Sequence, residues 1–201
     1  MKEKNTIVKD AIILLIITVV AGSLLGAVYQ ITKEPIKQAN IAATNKAYAL
    51  VYADADTFED VDVDYDDVNA KILSGGIDNG EVTEVKQAVD GSGTALGYVL
   101  SVNGLKGYGG SVGFTIGVTL EGEVTGIEIL SCEETPGLGQ RCKEEAFRNQ
   151  YVGKAVDGFK VTKAGASADD EIDAISGATI TSTCVTGGVN AALYYVKNLV
   201  Q

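Results

Sequence analysis

The sequence predicts an α+β domain carried behind one amino-terminal membrane-spanning helix. Three observations predict it. Residues 11–32 form a stretch of 22 residues without a charge, enough to cross a hydrocarbon core of about 30 Å. Residues 82–130 hold four segments rich in β-branched and aromatic residues with partial period-2 alternation, the pattern of half-buried strands. The carboxyl end then changes period, with Val185, Val189, Ala192, Leu193, Val196 and Val200 on one face of a helix. A length of 201 residues with 46% hydrophobic and 21% charged residues excludes a disordered chain and leaves room for one domain plus an appendage.

The apolar stretch AIILLIITVVAGSLLGAVYQIT is longer than the 7–15 residues or so of a signal-peptide core and has no A-x-A cleavage site after it, so it reads as an uncleaved anchor. Lys2, Lys4 and Lys9 precede it, which sets the amino terminus in the cytoplasm and the rest on the outer side of the cell membrane. The expected organisation is a tail over 1–10, the transmembrane helix over 11–32, a helical and acidic connecting region over 33–80, and the folded domain over 81–201. Gly22 and Gly26 leave a groove where a second helix can approach, although glycine is common in membrane helices.

Beyond the span, Ile41, Tyr48 and Val51 fall at helical spacing, and Pro35 marks the expected start of that helix. Residues 54–67 then carry eight carboxylates in fourteen positions. A calcium loop starting at Asp60 would need Gly and Glu where Tyr65 and Lys71 stand. The stretch therefore reads as a half-exposed strand with a solvated acidic face. The four strand segments follow as a meander, the third and fourth joined by a tight turn at Glu121-Gly122.

A formal net charge of -11 without any basic stripe argues against nucleic acid as a partner. The absence of histidine removes the triad hydrolases and the His-ligated metals, and three cysteines without a CxxC cannot make a four-thiolate centre. No metal site is expected. Cys132 and Cys142 form one bridge or belong to a reduced set of thiols; both readings stay open.

Two segments have more glycine and hydroxyl density than a core requires. Residues 133–139, EETPGLG, predict a rigid exposed turn whose N–H groups can approach a ligand. Residues 173–182, DAISGATITS, open the last helix, where unpaired N–H groups favour an anion such as phosphate. An ordinary Ser/Thr helix cap explains the second segment equally well. Gly107-Tyr108-Gly109-Gly110 lies between two strands as a glycine-rich connection.

In this order, one amino-terminal span, GYGG, ETPGLG and D-x-x-S-G-A-T before a helix, the chain resembles the covalent-FMN-binding domain family over residues 90–200. Within it the architecture is most similar to the G subunits of Rnf complexes, membrane-bound ion-translocating ferredoxin:NAD+ oxidoreductases. The resemblance implies an electron-transfer role, with FMN joined through its phosphate to Thr179 by a flavin transferase and other subunits of an Rnf-type complex as partners. It implies Asp173 as the transferase-recognition position, Ser176 and Thr181 near the phosphate, and Gly177 and Ala178 as small neighbours. Glu134, Thr135, Gly137, Leu138 and Gly139 would lie against the flavin ring, with Tyr108 lining the site and Lys154 and Lys163 as candidate counter-charges. No residue is implied as an acid, base or nucleophile in turnover. Cys132 stands where many members carry His, so no histidine step carries over. The alternatives are the related C component of the sodium-translocating NADH:quinone reductase, a membrane-anchored flavoprotein outside any pump, and a non-redox binding module.

Overall fold

The computed structural model describes residues 2–200, with side chains from residue 7 onward. Helix α1, Lys2–Val51, runs unbroken through Pro35. The expected helix start at Pro35 is therefore corrected: good helix formers around it, Lys33, Glu34, Gln38, Ala39, Ala42 and Ala43, carry the helix past the one lost hydrogen bond. Apolar side chains along its first part, among them Leu14, Leu15, Ile17 and Leu25, are exposed, and the helix is long and apolar enough to cross a membrane. Within that stretch Thr18 and Ser23 donate to the carbonyls of Leu14 and Val19 at 2.8 and 2.7 Å, which satisfies both hydroxyls inside the helix as a hydrocarbon surround demands.

The compact unit beyond α1's first part begins at Thr44. It takes in two elements that the sequence reading left in a connecting region. Strand β1, Thr57–Asp60, pairs antiparallel with β2, Gly80–Val89. The alternating residues after Asp60 are not a strand. Helix α2, Tyr65–Ser74, starts there because Asp64 caps it, accepting from the Asp66 and Asp67 N–H groups at 3.1 and 3.2 Å. Two acidic side chains in its first turn suit the positive end of the helix dipole. Val68 and Ile72 then enter the main core.

Strands β3, Ala95–Gly104, β4, Val112–Thr119, and β5, Val124–Ser131, complete a five-stranded antiparallel sheet in sequential order. Gly122 turns the last hairpin at φ +84°. Helix α4, Thr179–Asn198, lies across β2, β3 and β4. Its Val185, Val189, Ala192 and Leu193 pack with Leu100, Phe114 and Ile116. The other sheet face receives the end of α1: Tyr48, Val51 and Tyr52 meet Ala88 and Val99.

Backbone of both helices fills the space where a Cβ would stand on the sheet, because glycines face each other in register. Gly80 pairs with Gly104 in β2 and β3, and a Cβ on either would run into α4's own backbone, at Gly187 and Cys184 respectively. Gly117 and Gly126 pair in β4 and β5, and there the backbone of Val51 takes up the space of a Cβ.

Between β5 and α4 the chain forms a 3-10 turn, Gly139–Lys143, the short helix α3, Glu145–Arg148, and a parallel pair, β6, Lys160–Thr162, with β7, Glu171–Asp173. Phe147, Tyr151 and Phe159 stack edge to face beneath it. Tyr151 is wholly buried, shares a hydrogen bond with Thr186 at 2.8 Å, and burial holds its phenol neutral far above the usual range.

Candidate functional site

Three connections meet at the amino end of α4. The loop after β3 brings Tyr108, the loop after β5 brings Glu134, Thr135, Leu138 and Gly139, and residues 177–181 form the floor. They enclose a cavity of about 630 Å³, within the range of small-molecule sites.

One buried carboxylate ties the three segments together. Glu134 is 3% exposed, accepts the Gly109 N–H at 3.1 Å, and accepts the Thr181 hydroxyl at 2.9 Å. A buried polar group persists only when hydrogen-bonded; here one donor comes from the loop after β3 and the other from the first turn of α4. Glycine makes room for it. A Cβ on Gly139 would stand 2.6 Å from both Glu134 Oε2 and Thr181 Oγ1, and one on Gly107 would stand 2.7 Å from Glu134 Oε1. Gly139→Ala is therefore expected to cost about 1–3 kcal/mol of stability by overpacking a filled site, measured as a lowered denaturant midpoint at unchanged slope.

The hydroxyls at the helix start are not equivalent. Thr181 is spent on Glu134. Ser182 is buried, accepts the Ile175 N–H at 2.9 Å and donates to the Ala178 carbonyl at 3.0 Å. Thr179 is half-buried and lines the cavity. The residue capping α4 is Ala178, which offers no side-chain bond to the first-turn N–H groups. An ordinary hydroxyl cap is thus absent from this helix, and its first N–H groups and positive end face the cavity. Gly177, at φ +76°, lets the Leu138 side chain approach to 3.1 Å of where a Cβ would be. Tyr108, Leu138 and Ile180 present exposed apolar surface, with Tyr108 76% accessible.

Other expected residues lie elsewhere. Ser176 and Asp173 line a separate cavity of about 210 Å³ beside Arg141 and Gln150. Asp173 accepts the Ala166 N–H at 2.6 Å. Gly137 sits in the exposed turn at φ +76° and does not line the main cavity. Lys154 reaches the Glu171 carbonyl and the face of Phe159, and neither it nor Lys163 lines the main cavity.

One cation beside Thr179 is a residue the sequence reading missed. Lys106 lines an adjoining cavity of about 310 Å³ together with Asp78, Thr179 and Cys184. Its backbone is left-handed, φ +63°, uncommon for a residue with a side chain. Its ammonium pairs with Asp78 at 2.5 Å, and that hydrogen bond and charge hold the Asp78 carboxyl below its usual range. Ile180 was missed too, because only the fold shows it exposed beside Thr179 in the cavity lining.

Residues 107–194 match the family described as FMN-binding domain, and residues 1–51 match the RnfG N-terminal region. Over 198 residues the chain is 31% identical to the G subunit of the Na(+)-translocating ferredoxin:NAD(+) oxidoreductase complex of Acetobacterium woodii, covering 97% of this chain and 94% of that one. It is 33% identical over 195 residues to the G subunit of the proton-translocating ferredoxin:NAD(+) oxidoreductase complex of Clostridium ljungdahlii, with the same coverage of 97% and 94%. Among solved structures, the C component of the Na(+)-translocating NADH-quinone reductase of Parabacteroides distasonis is 27% identical, with a TM-score of 0.46 over 65% of this chain and 68% of that one.

Proposed function

The chain belongs to the G-subunit family of Rnf-type ion-translocating oxidoreductase complexes, and from that premise we propose that its FMN is held covalently, by a phosphoester to Thr179. It is a redox subunit of a membrane complex, anchored through α1, and works beside the other subunits of that complex. The amino-terminal match to the RnfG region distinguishes it from the related quinone-reductase component.

The observation that carries the covalent reading is the uncapped start of α4, with the half-buried Thr179 hydroxyl in the cavity wall. A phosphodiester on Thr179 would meet the first-turn N–H groups of α4 and the helix's positive end. Glu134 keeps the walls together, while Tyr108, Leu138 and Ile180 offer apolar surface for a flavin ring to cover. Bound FMN supplies the electron transfer; these side chains bind it, orient it and exclude water. Asp173 and Ser176, exposed on the neighbouring surface, suit recognition by a flavin transferase. Lys2, Lys4 and Lys9 ahead of the span support a cytoplasmic amino terminus and a domain on the outer face of the membrane.

Intact mass of the full chain co-expressed with a flavin transferase tests the reading: a gain of FMN less one water, fluorescent under denaturing conditions, supports it. Absence of the adduct with an active transferase overturns it. Lys106→Gln is expected to slow that mass gain about 2–5-fold without abolishing it, since one solvent-screened charge beside a phosphate contributes under about 1 kcal/mol; the time course of loading measures this.

A further inference from the structure

Cys132 follows β5 directly, and Cys142 sits on the 3-10 turn that closes the next loop. Their Sγ atoms are 3.6 Å apart. Cys142 is fully buried and Cys132 half-buried, while the third thiol, Cys184, is buried on α4. The segment between the pair contains Glu134, Thr135, Leu138 and Gly139, the whole of one cavity wall.

We propose that Cys132 and Cys142 are a redox-responsive dithiol whose oxidation to a disulfide staples this wall. Thiols already in contact need only a small Sγ displacement to bond, because the Cα positions are set by a strand end and a turn rather than by free loops. The two thiols divide the work. Burial and the neighbouring Cys132 push the Cys142 thiol up to about 12, so the accessible Cys132 is the attacking group.

The oxidant is a low-molecular-weight disulfide. Cys132 loses its proton and attacks one sulfur of that disulfide, forming a mixed disulfide and releasing one small thiol. Cys142 then loses its proton and attacks the Cys132 sulfur, expelling the second small thiol. Two protein thiols are oxidised, one small disulfide is reduced to two thiols, and protons balance. The closed ring spans residues 132–142, so Glu134 and Gly139 lose the freedom to move away from Thr181. The bond itself is independent of the flavin reading; only its consequence for FMN loading rests on that reading.

The test uses the full-length protein in detergent, without FMN, exposed to excess oxidised glutathione or to a reductant, then denatured and alkylated. The expected result is one alkylated cysteine after oxidation against three after reduction, and a peptide linking Cys132 to Cys142 after cleavage at Arg141. Oxidation is also expected to raise the melting temperature by about 5 °C or more, an effect absent from Cys132→Ser and kept by Cys184→Ser. Three alkylated cysteines after oxidation, or a bridge that includes Cys184, overturns the proposal. In protein co-expressed with a transferase, the flavin mass gain is read separately, so a failed adduct and a failed bridge are distinct results.

Discussion

Thr179→Val is expected to abolish the covalent flavin outright, leaving apoprotein mass and no in-gel fluorescence. Valine keeps the shape of threonine and removes only the oxygen that would carry the phosphoester. The position is half-buried and starts the helix, and the N-cap position is Ala178, so Thr179 has no capping duty and stability should change by under about 0.5 kcal/mol. Thr179→Ser retains the hydroxyl and should retain the adduct. Thr181→Val is the informative contrast. It removes a donor from a carboxylate that is 3% exposed, which costs about 1–3 kcal/mol, yet the adduct should still form. A flavin mass gain in Thr179→Val would overturn the assignment, and loss in Thr181→Val with retention in Thr179→Val would move it two residues along the helix.

The parts of the molecule that were legible in the sequence are those whose signals are local. The four strands β2 to β5 and the helix α4 repeat with periods of 2 and 3.6, and the turn at Gly122 is demanded by its backbone. Two of the cavity-lining segments, around Glu134 and around Thr179, could be picked out from glycine and hydroxyl density. What failed to show was set by tertiary context. Pro35 reads as a boundary, but the helix continues because its neighbours favour it. The acidic alternation after Asp60 has strand period, yet Asp64 spends its side chain on capping α2. Hydroxyl density alone does not separate Thr179, Thr181 and Ser182; the D-x-x-S-G-A-T order picks out Thr179, and the fold shows that Thr181 and Ser182 are engaged elsewhere. Lys106 comes to Thr179 through the return of the chain from β3, 73 positions away in sequence by number, and Glu134, on the loop after β5, joins the loop after β3 to the first turn of α4.

The glycine pairs are the least legible feature and govern the largest expected loss of stability. Gly104→Ala is expected to destabilise the domain by about 3 kcal/mol, at the upper end for overpacking, and to lower its melting temperature by about 6–12 °C. The new methyl would meet the Cys184 carbonyl carbon at 2.7 Å and its Sγ at 3.0 Å. The sulfur can turn away, but a helix backbone held by its own hydrogen bonds cannot yield locally, so α4 must shift as a body. That shift starts five residues beyond Thr179 and should reach the cavity, so covalent loading ought to fall together with stability. Gly158→Ala is the matched control, because its Cβ would meet Asn190 Oδ1 at an ordinary 3.5 Å, and its melting temperature should stay within about 2 °C of the parent. Equal melting of the two variants would mean that α4 can lift from the sheet at little cost. The cavity floor would then be a compliant surface, and the position of Thr179 could no longer be argued from the packing of β2 and β3.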